Sequence, residues 1–297
     1  MLFRASTHVG LWLDKYLSEQ SSEGGENARP GHFEQAAHAA VPDAYSAFFD
    51  RWRRTLDRIG AVTHEAEVQG RLAIGLGGES VLETAITLHH TYGVPHIPGS
   101  AIKGLVASYA RNHLEETTWG KNSETYKILL GDTTAAGYVT FFDALYMPHC
   151  DKQDPHRDKQ DRPLAPDVIT VHHPDYYRGE PVPPADWDSP NPVPFLSATG
   201  SYLFALHGPD SWVAATFAIL KDALLEEGIG AKTSSGYGRM KFADMNYASE
   251  CAPSQSTAPL STPNAPSAPS LPRKTAQGKV KYDHGRAILV TDEGRKF

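Results

Sequence analysis

Four glycines fall within eleven positions between residues 228 and 238, in the run Gly228-Ile229-Gly230-Ala231-Lys232-Thr233-Ser234-Ser235-Gly236-Tyr237-Gly238-Arg239. Glycine tolerates φ > 0 and lets another backbone come close. A helical stripe (Val213, Phe217, Leu220, Leu224) precedes the run and a strand pattern around Met240 and Phe242 follows it. The chain must therefore turn tightly from a helix into a strand here. A row of small residues presents backbone N–H groups suited to phosphate oxygens. Lys232 and Arg239 add positive charge, Thr233 and Ser234 add hydroxyls, and Tyr237 adds a flat face for stacking. Gly228, Gly230, Lys232, Thr233, Ser234, Gly236, Tyr237, Gly238 and Arg239 are thus candidate contacts to a nucleic-acid backbone. A nucleotide P-loop is excluded, because its two required glycines fall on Glu226 and Ala231 and because the run follows a helix instead of a strand.

Charge limits how such a chain can hold nucleic acid. The 297 residues carry a net charge of −7, against coating a polyanion by charge alone. Residues 246–297 carry seven Lys/Arg and four Asp/Glu, so the tail is basic and the body acidic. A body that binds RNA does so through a local patch. No apolar run reaches bilayer length, and Asp14 and Glu19 break the N-terminal apolar stretch, so neither a membrane segment nor a signal peptide is expected. Two cysteines, Cys150 and Cys251, give no disulfide or zinc framework, and the expected compartment is the cytoplasm. His149, Cys150, Asp151, Asp154 and His156 lie in a charge-dense loop too poorly organised to expect a metal.

Residues 1–60 read as an N-terminal extension ending in a helix from Asp43, with Tyr45, Phe48, Phe49, Trp52 and Leu56 at helical spacing and Gly60 as stop. Arg51, Arg53, Arg54 and Arg58 form a solvated face. Alternation predicts a strand over 61–74, and a strand or hairpin arm over 83–92. A helix follows, capped by Ser100, whose first turn (Pro98-Gly99-Ser100) and Lys103 suit a phosphate. Further strands are predicted over 137–143 and 195–206, a helix capped by Ser211 over 211–227, and a last strand over 239–245. Residues 145–193 read as an irregular insertion. The order β-α-β-β-α-β is the ferredoxin-like (RRM-like) arrangement of an α+β domain spanning 61–248, a class that binds RNA on its open sheet face. Residues 249–275 are a Pro/Ser/Ala-rich linker and 276–297 a basic β-hairpin.

Three segments in order, His96–Gly104, Gly137–Ala144 and Gly228–Arg239, resemble the RAMP superfamily of CRISPR effector proteins. Asp167–Tyr177 and Pro192–Leu196 resemble, within it, the sixth subunits of type III-B Cmr complexes. The resemblance covers roughly residues 61–245. It implies an RRM-like domain with insertions near one end of a helical ribonucleoprotein filament. It also implies a grip on the 3′ region of guide RNA, with target RNA nearby. The partners implied are neighbouring RAMP subunits, including the first and fourth, and the small subunit. Members of this kind are taken to be structural, so no catalytic residue and no cofactor are expected. The competing reading is a metal-independent endoribonuclease that processes guide RNA with histidine, for which His89, His90, His96, His172 and His173 are candidates. A third reading is an assembly scaffold without RNA contact.

Overall fold

The α3 helix (Asp43–Arg58) forms because Tyr45, Phe49 and Leu56 recur on one side and bury completely, while its arginines face solvent. The computed structural model describes residues 7–17, 28–148 and 161–243 apart from 172, 182, 187 and 189, with Leu271 and residues 278–283 and 286–291. Before α3 lie α1 (Val9–Lys15) and α2 (Arg29–Ala37), packed together with the Trp12 and His32 rings stacked 5.0 Å apart. His8 caps α1 by accepting the Leu11 N–H at its Nδ1.

After α3 come β1 (Val62–Val68), β2 (His96–Ile97), α4 (Gly99–His113), α5 (Glu116–Trp119), α6 (Glu124–Leu130), β3 (Thr140–Phe141) and β4 (Ala144–Tyr146). The chain continues through β5 (Leu164–Val171), α7 (Pro174–Tyr177), β6 (Asn191–Ala198), β7 (Ser201–His207), α8 (Asp210–Glu226) and β8 (Met240–Phe242). The strands β9 (Gly278–Asp283) and β10 (Arg286–Thr291) pair with each other as a separate antiparallel hairpin. The main sheet runs β2-β4-β7-β1-β8, with β3 also on β7, and every pairing in it is antiparallel.

The α4 and α8 helices pack side by side on one face of this sheet. The Phe217 ring of α8 meets His64 of β1 at 4.5 Å and Phe242 of β8 at 6.0 Å. Ala66 and Val68 share the His64 face and are buried; Glu65, Glu67 and Lys241 on the opposite face are exposed. One hydrophobic cluster includes Trp12 and Phe33 of the N-terminal helices together with Leu220 and Leu224 of α8, and Leu271 packs against it. Each fully buried large apolar side chain in it contributes about 2 kcal/mol.

Several expectations shift. The first strand stops at Val68, because Gly70 adopts φ +94° and the chain leaves the sheet. Residues 83–92 form no strand; their one ladder contact is a bridge between Leu88 and Pro95. Of the strand expected over 137–143 only Thr140–Phe141 forms, and pairing resumes at Ala144 in β4. Neither Ser100 nor Ser211 caps a helix: Pro98 and Pro209 take those positions. The region 145–193 is not wholly irregular, since β5 pairs with β6 along eight residues in each strand. The hairpin carries three prolines, Pro166, Pro192 and Pro194. In the register they fall in alternate pairs of the ladder, opposite Leu196, Thr170 and Val168. At alternate pairs the N–H points away from the partner strand, so a two-stranded hairpin tolerates proline there.

Candidate nucleic-acid interface

The glycine-rich run is stitched at both edges to the segment that leaves β1. Gly228 ends α8 at φ +77°, its N–H donating to the Ala223 carbonyl at 2.9 Å. Ala231 N–H donates to Ala73 O at 2.7 Å, Gly238 N–H to Arg71 O at 2.8 Å, and Gln69 N–H to Arg239 O at 2.7 Å. Within the run, Ile229 N–H donates to Gly238 O at 2.9 Å and Tyr237 N–H to Lys232 O at 3.3 Å. A Cβ on Gly230 would strike the Ala73 carbonyl oxygen, and one on Gly238 the Ile229 carbonyl oxygen. These glycines are required by backbone crossing backbone.

This accounting narrows the open N–H row expected from the sequence. The N–H groups of residues 229, 231, 235, 236, 237 and 238 are all donated to carbonyls. What stays open is the tip, a single 3-10 turn over Thr233–Ser235. Its entry residue Lys232 sits in the left-handed region at φ 57°, one of two non-glycine residues with positive φ among those described. Ser234, Ser235 and Gly236 are exposed, and the Lys232 side chain has no hydrogen-bond or ion-pair partner among the described residues.

The other candidates separate into distinct roles. Tyr237 is not a free stacking platform: its hydroxyl donates to Asp167 Oδ2 at 2.7 Å and its ring packs on Phe195. Burial, then the bond to Asp167, pushes its hydroxyl pKa up to about 12. Arg239 spends an Nη1 hydrogen on the Leu225 carbonyl at 3.1 Å, near the C-terminus of α8, where cations suit the helix dipole. Ser100 and Lys103 are exposed but lie elsewhere. The far end of α4 meets the end of α8 through Tyr109 and Glu226 (2.8 Å) and His113 and Glu227 (2.9 Å). Ser100 is thus about 20 Å of helix rise from the point where the glycine run begins. The α4 N-terminus is not fully open either, since Asp143 Oδ1 accepts the Gly99 N–H at 2.7 Å. Sequence reasoning missed Asp143 and Asp167. The signal for Asp167 was an acidic residue amid β-formers in a stretch read as irregular.

An RRM-type reader shows aromatic rings on its open sheet face. Here the exposed positions near the β1–β8 edge are Glu65, Glu67 and Lys241, with Glu67 directly opposite Lys241. That local face is acidic and not built for a polyanion.

Among the histidine candidates, His89 and His96 come together, ring centroids 6.2 Å apart, beside Asp143, whose Oδ2 lies 4.0 Å from His96 Nε2. His96 Nδ1 is buried without a partner among the described residues. His90 uses its carbonyl to accept from His8 Nε2 at 3.0 Å, and His173 pairs with Asp188 at 2.7 Å. His172 and the candidate metal ligands from 149 to 156 lie outside the described residues. Among those described, no group of three His, Cys, Asp or Glu could hold a metal ion, and no helix is long and apolar enough to cross a membrane.

Burial is the largest cause lowering the pKa of His32, His89 and His96 from the ordinary 6.5. Each folded pKa lies below its unfolded value, so folding favours the neutral ring. The stabilisation is present above pH 6.5 and is lost as pH falls through the folded values. Thermal melts should therefore show a lower Tm on acidification below pH 6.5, a slope that His96→Gln reduces.

A family model described as the RAMP superfamily matches residues 65–241. A curated relative, "CRISPR system Cmr subunit Cmr6" of Pyrococcus furiosus, is 29% identical over 255 residues, covering 67% of this chain and 73% of its own. A chain in the cryo-EM structure of a type III-B Cmr-beta complex bound to cognate target RNA shares the fold at a TM-score of 0.55 and 23% identity. That match covers 73% of this chain and 71% of the other. The antiparallel sheet, the paired helices on one face and a family match across more than half the sequence give one conclusion: the chain belongs to the RAMP superfamily.

Proposed function

We propose that this chain is a non-catalytic RNA-binding subunit of a type III-B CRISPR ribonucleoprotein in the cytoplasm, serving antiviral defence by holding the 3′ region of guide RNA. The observation that carries the reading is the tip at 232–236: a lysine without a partner among the described residues, on an exposed turn whose backbone is fixed on both sides. A rigid seat costs little ordering when it takes a phosphate. The likeness to a Cmr6 subunit, and to a chain of a complex bound to target RNA, supports the same assignment. The neighbours in this reading are the first and fourth RAMP subunits and the small subunit. They meet surfaces that carry no RNA, such as the Glu65–Glu67 face. In the sheet, β1, α4, β3 with β4, β7, α8 and β8 fit a ferredoxin-like unit over 61–248, with β5–β6 in its insertion and the β9–β10 hairpin as tail; the Pro/Ser/Ala-rich linker expected over 249–275 lies, Leu271 apart, outside the described residues. Lys232, Thr233 and Ser234 hold the backbone directly. Gly228, Gly230, Gly236 and Gly238 shape the seat, Tyr237 and Arg239 brace it, and Ser100 with Lys103 would form a separate contact.

The test is to irradiate the full-length chain with labelled guide RNA and map the crosslinked peptides. Crosslinks within 230–239 and intact RNA are expected; RNA attached only elsewhere would overturn the assignment. The proximity of His89, His96 and Asp143 favours the endoribonuclease as second reading. Cleavage in the same metal-free incubation, abolished in His96→Ala, would put it first.

A further inference from the structure

We infer that Arg71 belongs to the same RNA-holding site as Lys232, the two cations taking phosphates of one RNA strand on either side of the Tyr237–Asp167 bond. This rests on the proposed function and adds a residue to it.

Arg71 lies in the segment between the end of β1 and Ala73, on the line where three parts of the chain meet. Its carbonyl accepts the Gly238 N–H at 2.8 Å. The next residue, Leu72, is fully buried and bridges to Ala198 of β6, and Ala73 bridges to Ala231 just before Lys232. Arg71 is thus held by its backbone against the glycine run on one side and the β5–β6 hairpin on the other. Its side chain is exposed.

The guanidinium is close enough to Tyr237 for its charge to oppose part of the rise in the hydroxyl pKa. Yet Arg71 forms no ion pair or side-chain hydrogen bond with any described residue. The nearby carboxylate is already engaged: Asp167 Oδ1 takes the Val168 N–H at 2.9 Å and Oδ2 takes the Tyr237 hydroxyl at 2.7 Å. A fixed backbone, an uncommitted guanidinium and a second uncommitted cation on the facing turn make a two-point grip. Arginine suits one point because its planar fork matches two phosphate oxygens at once. Asp167 leaves these three groups with one net positive charge. The site therefore holds a strand by the spacing of its cations more than by charge density.

The test uses the full-length chain and a labelled single-stranded RNA of mixed sequence, with affinity measured from about 50 to about 200 mM salt. Arg71→Ala should leave the Tm unchanged, since only the backbone of residue 71 is used in folding contacts. It should weaken binding about tenfold at the low-salt end and reduce the slope of log affinity against log salt by about 0.7. Arg71→Lys should recover part of the affinity, because the charge returns without the fork. If Lys232→Ala weakens binding while Arg71→Ala matches the parent in affinity and slope, the inference about Arg71 is overturned and the RNA-binding function stands. If the parent chain itself holds no RNA, both fall.

Discussion

Gly238→Ala should destabilise the fold by about 3 kcal/mol or more, lowering Tm by roughly 10 °C. Gly238 adopts φ +71°, where an L-residue already pays about 1–2 kcal/mol. The added methyl would also land on the carbonyl oxygen of Ile229. Neither side can step back cheaply: Ile229 N–H is bonded to Gly238 O, and Gly238 N–H to Arg71 O. The comparison is Gly236→Ala. Its φ is +90°, but a Cβ there meets nothing within 4 Å. That substitution should cost only the backbone penalty, about 1–2 kcal/mol. Equal losses in thermal melts of the two variants would show that crossing strands of backbone do not set the glycine requirement.

The second large effect is on binding. Lys232→Glu should weaken RNA affinity about a hundredfold at low salt, because one cation is lost and a like charge takes its place. Stability should change by no more than about 0.5 kcal/mol, since the side chain has no partner to lose among the described residues. Lys232→Gly separates the two roles of this position. Glycine accepts the left-handed backbone at φ 57° without strain, so the variant should be as stable as the parent or more so. It should still bind RNA about tenfold more weakly. If Lys232→Gly binds as tightly as the parent in a filter-binding titration, the lysine serves only the turn.

Helices were legible where apolar side chains keep a period near 3.6. Predicted as 211–227, α8 spans Asp210–Glu226, with Trp212, Phe217, Leu220 and Leu224 buried along it. The caps were less legible, because Ser100 and Ser211 each follow a proline that takes the cap instead. In the strand predicted over 61–74, Leu72, Ala73 and Ile74 beyond the end of β1 are buried consecutively, Leu72 and Ala73 where they bridge to other segments. Local pattern does not reveal that change of partner. The β5–β6 hairpin was hidden by its three prolines, whose tolerance depends on a register that only the pairing defines.

For the site, the sequence indicated the glycines and Lys232 by residue type. It could not indicate that seven of the run's N–H groups are consumed by carbonyls, two of which, those of Ala73 and Arg71, lie more than 150 residues earlier. Nor could it separate Lys103 from Lys232, since both follow a turn of small residues and only the packing of α4 against α8 places them at opposite ends of the helix layer.

The strands at the two ends of the main sheet are short: β2 has two residues and β8 has three. So little unpaired backbone gives a foreign strand almost nothing to zip onto, which protects this sheet from edge-to-edge aggregation. Assembly at the main sheet must then be written in side chains. Substitutions on the exposed helix and loop surfaces around it, not changes to its strand edges, are where contacts there will be altered.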